Sequence, residues 1–195
     1  MLKRLLTALP AALAATPAFA HVNPAEHGSF AAGFSHPLTG ADHMLAMVAV
    51  GLWAALLGGR ALWQVPAAFV CAMLAGFGAG IAGLPLPFVE PMILASVIII
   101  GLVAATASRL PAAPAMAMVG FFAFFHGHAH GGEIGTAGVA SFAAGFVIAT
   151  ALLHWLGVAL GMGIGRLAGI DAGRSITRLA GAATALAGLW LVTGG

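Results

Sequence analysis

The chain has 195 residues, of which 62% are hydrophobic and 6% charged, with a mean hydropathy of +1.07. Soluble domains carry about a quarter charged residues, so this composition excludes an ordinary soluble domain and reads as an all-α integral membrane protein. The net charge of +2 rests on so few ionisable groups that the basic pI is no nucleic-acid footprint, and their positions matter more than their sum.

The first 20 residues, MLKRLLTALPAALAATPAFA, place Lys3 and Arg4 before a short apolar run and end on Ala18-Phe19-Ala20, a small-x-small cleavage pattern. Residues 1–20 are expected to be a signal peptide, the alternative being an uncleaved first helix. Cleavage after Ala20 would leave His21 first, where its α-amine and imidazole could chelate a metal together, with Glu26 and His27 close by.

A spanning helix needs about 20 mostly apolar residues. Cutting the mature chain, 21–195, at its Gly, Pro and Arg clusters predicts a single membrane domain, a bundle of six transmembrane helices at roughly 37–58, 61–83, 88–107, 112–131, 137–165 and 175–193.

The first span opens with HPLTGADHMLAM. On an ideal helix His36, His43 and Met47 share one stripe, with Asp42 about 100° from His43. His36 and His43 are two turns apart, about 10 Å, too far for one ion on a straight helix, but Pro37 and Gly40 weaken continuity and could fold His36 back. Ionisable groups inside a span mark a functional pathway by default. The structural alternative has His36 capping the helix and Asp42 and His43 bonding neighbouring helices.

The second span holds the lone Cys71, which excludes a disulfide framework and a CxxC site and is expected to be small and buried. It also carries Gly76 and Gly80, the four-residue spacing that lets membrane helices approach closely; Gly157, Gly161 and Gly165 repeat it in span five. Glu90 starts the third span in VEPMILAS.

The fourth span closes on FFAFFHGHAHGGE, where His126, His130 and Glu133 align on a helix and His128 points elsewhere. Imidazoles and a carboxylate at this density suit a borderline divalent ion such as nickel, copper, zinc or iron. Gly127, Gly131 and Gly132 argue that the helix unwinds here. A plain periplasmic histidine loop is the competing reading. His154, in span five, lies past the membrane middle, as a second station on a path or as a satisfied core histidine. Trp53, Trp63, Trp155 and Trp190 read as interface or packing residues.

Arg60 and Arg109 fall in connections and Arg166, Arg174 and Arg178 between or at the edges of spans five and six, all on one side of this division, and the other connections contain no Lys or Arg. The positive-inside rule makes that side cytoplasmic and the topology N-out and C-out, in a bacterial inner membrane. Asp42, His43, Glu90, His126, His130 and Glu133 then all lie toward the periplasmic half.

HPLTGADHMLAM, FHGHAHGGE and VEPMILASV together make the chain resemble the HupE/UreJ family of nickel and cobalt permeases, over essentially the mature chain. The resemblance implies a secondary permease importing Ni2+ or Co2+ for hydrogenase or urease maturation, and not an enzyme. Carried onto this chain, it makes His36, Asp42, His43, Met47, His126, His130 and Glu133 metal-handling residues, with Glu90 and His128 beside them. The metal is cargo, and no permanently bound cofactor is expected. Partners would be the ion, the bilayer and, indirectly, the maturation proteins, with homo-oligomerisation left open. With no Walker motif, ATP is not the direct energy source. A membrane-embedded metalloenzyme and a metal-binding accessory subunit stay open as alternatives; HExxH and GxSxG are absent.

Overall fold

The computed structural model describes residues 29–134 and 138–193. The expected signal peptide and cleavage site, and with them His21, Glu26 and His27, lie outside the described residues. Seven helices follow: α1 (Phe30–Thr39), α2 (Ala41–Leu57), α3 (Ala61–Ile81), α4 (Val89–Ala105), α5 (Ala112–Glu133), α6 (Val139–Ala168) and α7 (Ile170–Val192). The described residues are otherwise turns, bends and irregular connections, with no strand.

Among the described residues three helices are long and apolar enough to cross a membrane: α3, α6 and α7. The α1–α2 pair qualifies only as one span broken by an 82° bend, and α4, at 17 residues, is apolar but short. Helix α5 has the length, at 22 residues, but its histidine-rich last third dilutes its apolarity.

The first expected span is therefore not one straight helix. Ser29 caps α1 by accepting a hydrogen bond from Ala32 N at 3.0 Å. The chain then turns at Gly40, whose extended backbone (φ −90°, ψ 120°) ends one helix and starts the next. Pro37 stays inside α1, so the break falls at the glycine. A Cβ at residue 40 would stand 2.8 Å from Asp42 Oδ1, so a side chain there would displace the carboxylate from its place beside His43.

Helices α3 and α5 form the most extensive pair. Gly76 and Gly80 of α3 press on the Phe124 and His128 carbonyls, while Gly127 and Gly131 of α5 press on those of Met73 and Phe77. Two backbones in contact on both sides give the dispersion that joins helices where no hydrophobic effect can. The expected unwinding at Gly127, Gly131 and Gly132 is thus corrected: α5 is continuous to Glu133, and two of these glycines serve close approach. Gly51 and Gly157 repeat the device between α2 and α6, where Gly161 meets Ala55; a Cβ on Gly165 would meet nothing, although Gly165 itself packs on Gly173.

The expectation for Cys71 is also corrected. Helix α3 buries Val65, Phe69, Met73, Gly76, Phe77 and Gly80, one stripe at helical spacing. Cys71, two residues or about 200° from Phe69, is exposed on the opposite face. Trp53 is fully buried and donates to the Ser108 carbonyl at 2.9 Å, whereas Trp63, Trp155 and Trp190 project outward.

Candidate metal site

The α1–α2 break, the start of α4 and the end of α5 meet around a cavity of about 250 Å³ lined by His36, Asp42, His43, Glu90 and His130, among others. Asp42 and Glu90 occupy the first turns of α2 and α4, where the helix dipole stabilises a carboxylate. Two acidic groups at one mouth draw cations toward it.

Beneath the mouth three buried imidazoles touch. His43 Nε2 lies 2.5 Å from His130 Nε2 and 3.1 Å from His126 Nδ1. His36 reaches the group from α1, its ring edge-on to His130 at a centroid distance of 4.4 Å. The bend at Gly40 performs the folding-back that a straight helix would forbid.

The outer partners of these rings determine where their protons sit. Asp42 Oδ1 lies 3.1 Å from His43 Nδ1, so that nitrogen carries the proton and donates it to the carboxylate. Ser96 Oγ donates to the Ile93 carbonyl at 2.6 Å and lies 2.8 Å from His126 Nε2. With its own proton committed, Ser96 accepts from His126 Nε2. In the neutral state, His43 Nε2 and His126 Nδ1 therefore both turn lone pairs toward each other. One proton shared between His130 and His43 satisfies one contact and leaves the His126 lone pair directed into the cluster. A lone pair so directed favours a cation, either a further proton or a metal ion, between the rings. Metal-bound histidines characteristically donate their second N–H to a carboxylate or carbonyl in this way.

Among the described residues no three His, Cys, Asp or Glu side chains surround a common point as a finished ligand set. Metal–imidazole bonds of about 2.0–2.1 Å put ligands at right angles about 3 Å apart. The His43–His126 separation matches that spacing, while His130 must draw back from His43 to join them.

The other expected residues divide. Met47 is wholly buried in the core and does not line the cavity. His128 Nε2 turns away, 2.7 Å from the Leu84 carbonyl. Glu133 is the last residue of α5, and its side chain lies outside what is described. His154 stands apart and fully buried, and among the described residues neither ring nitrogen has a hydrogen-bond partner. Phe69 links it to the cluster, its ring 5.8 Å from that of His126 and 4.8 Å from that of His154. Ser96 is the residue that sequence reasoning missed. Its only signal was a hydroxyl in an otherwise aliphatic stretch.

Residues 9–191 match the family of HupE / UreJ proteins, nearly the whole chain. The chain belongs to the HupE/UreJ family. Among relatives, Protein HupE of Rhizobium leguminosarum bv. viciae is 44% identical over 192 residues, covering 98% of this chain and 98% of that protein. No solved structure matches. Within the HupE/UreJ chain described here, the histidine cluster and the glycine seams that position it both fall inside the matched region.

Proposed function

We propose that this HupE/UreJ protein is a six-span secondary permease that carries Ni2+, and Co2+ as the competing ion, inward across a bacterial inner membrane toward hydrogenase or urease maturation. The observation that carries the reading is the 3.1 Å approach of His43 Nε2 to His126 Nδ1, with Asp42 and Ser96 on their outer nitrogens, in a largely apolar bundle. Glu90 and Asp42 receive the hydrated ion at the mouth. His36, His130, His43 and His126 replace its waters in steps, with His128 and Met47 outside the ligand path. Partial ligation lets the ion leave again, where a closed cage would trap it. A membrane potential contributes about 2.3 kcal/mol per charge per 100 mV, hence about twice that for a divalent ion.

Cells lacking their own nickel importers should gain radioactive nickel uptake when the protein is expressed. Metal needs neutral imidazole, so uptake should fall once the external pH is acidic enough to protonate the cluster. No uptake from correctly inserted protein would sink the permease reading. A steady rise toward acid would point to proton coupling instead.

Below the cluster, His154 is the next station. A buried imidazole without a partner costs about 1–3 kcal/mol, an expense a passing cation would offset. His154→Leu should cut uptake severalfold while equilibrium nickel binding to the purified protein stays unchanged; wild-type uptake would remove His154 from the path.

A further inference from the structure

Twelve residues along α2 from His43, about 18 Å at 1.5 Å per residue, a second cavity of about 340 Å³ opens at the other end of the bundle. Ala55 and Leu56 of α2, Ala107 after α4, and parts of α6 and α7 line it. So do three arginines from three segments: Arg109 from the α4–α5 connection, Arg166 from the end of α6 and Arg174 from α7.

A guanidinium stays charged at any physiological pH. No carboxylate lines this cavity, and among the described residues none of the three arginines has an ion-pair partner. Asp171, one turn before Arg174, pairs with none of them. Arg178 is different, since its Nε donates to the Ala105 carbonyl at 3.0 Å. A positive-inside bias accounts for arginines on this side of the membrane. It does not account for three of them lining one concavity without a counter-charge.

The rim supplies the second half of a ligand. The chain breaks between α6 and α7 at Gly169 (φ +91°), and Leu167 and Ile170 on either side are 92% and 84% exposed. Ile170 also lines the cavity. Large aliphatic side chains directed outward beside a basic pocket match a molecule with an anionic head and apolar tails. Basic pockets between transmembrane helices on the cytoplasmic side bind phospholipid head groups, and guanidinium recognises phosphate through paired N–H donors.

We infer that this cavity holds the phosphate of an anionic phospholipid, gripped by Arg109, Arg166 and Arg174 with its acyl chains against Leu167 and Ile170. The inference rests on the membrane-spanning reading of α6 and α7 and is independent of what the histidine cluster carries. The lipid would close the inner ends of α2, α6 and α7 around a shared charge.

The test uses the purified full chain, stripped of lipid and then given phosphatidylglycerol or phosphatidylcholine, with no metal present. Native mass spectrometry should show phosphatidylglycerol retained, with a melting temperature raised by several degrees, and phosphatidylcholine doing neither. The Arg109→Gln/Arg174→Gln double variant should lose at least about tenfold in retention, and Arg166→Gln alone should lose part of it. Arg60→Gln, which removes a charge but does not line the cavity, should retain lipid like the wild type. Equal retention of both lipids, or retention unchanged in the double and the Arg166→Gln variants, would overturn the site. Inorganic phosphate that raises the melting temperature as much and displaces the lipid would overturn the lipid assignment in favour of a free anion.

Discussion

His126→Ala should abolish nickel uptake at matched membrane abundance, and Ser96→Ala and Asp42→Ala should each lower it by about 10- to 100-fold, the usual range for partners that orient metal ligands. His126 stands at the centre of this expectation because it is fully buried, touches His43 through Nδ1 and is held through Nε2. Removing its ring deletes one of the two facing lone pairs. Ser96→Ala is the sharper test. It leaves every imidazole in place but frees His126 to move its proton to Nδ1 and donate to His43, which cancels the demand for a cation. The nickel concentration for half-maximal uptake should rise without loss of folded protein. Wild-type nickel dependence in Ser96→Ala would end the lone-pair argument, even if His126→Ala were inactive.

The second large effect concerns folding. Gly127→Ala should strongly reduce the amount of folded protein in the membrane, because its Cβ would be driven into the Met73 carbonyl and the α3 backbone. A side chain can rotate away from a new methyl group, but a helix backbone must move as a whole. Overpacking commonly costs about 1–3 kcal/mol, and a backbone obstacle puts this site at or above the upper end. The shift would also carry the neighbouring His126 away from His43. Gly132→Ala is the control, since a Cβ there meets nothing within 4 Å. Thermal melting in detergent should separate the two variants by several degrees, and equal melting would show that the α3–α5 approach has slack.

Glycine at membrane depth signals either a helix break or close approach, and both occur here. Gly40 breaks a helix, whereas Gly127 and Gly131 sit inside a continuous one. Only the neighbouring backbone distinguishes them. Cys71 was misplaced for a related reason: in a chain whose outside is as apolar as its inside, hydropathy cannot tell a lipid-facing position from a buried one.

The sequence by itself determined the helical, strongly apolar character of the chain and the two histidine-bearing stretches. It also determined the direction of His128 away from His126 and His130, because the local period of 3.6 residues controls each of these. The tertiary structure alone decided that Gly40 turns α1 by 82° against α2, and that Ser96 on α4 reaches His126 on α5. It also decided that Phe69 stands between His126 and His154. Those relations join residues up to 85 positions apart, and their geometry depends on how closely glycine lets one backbone approach another, a distance that no pattern within a single helix encodes.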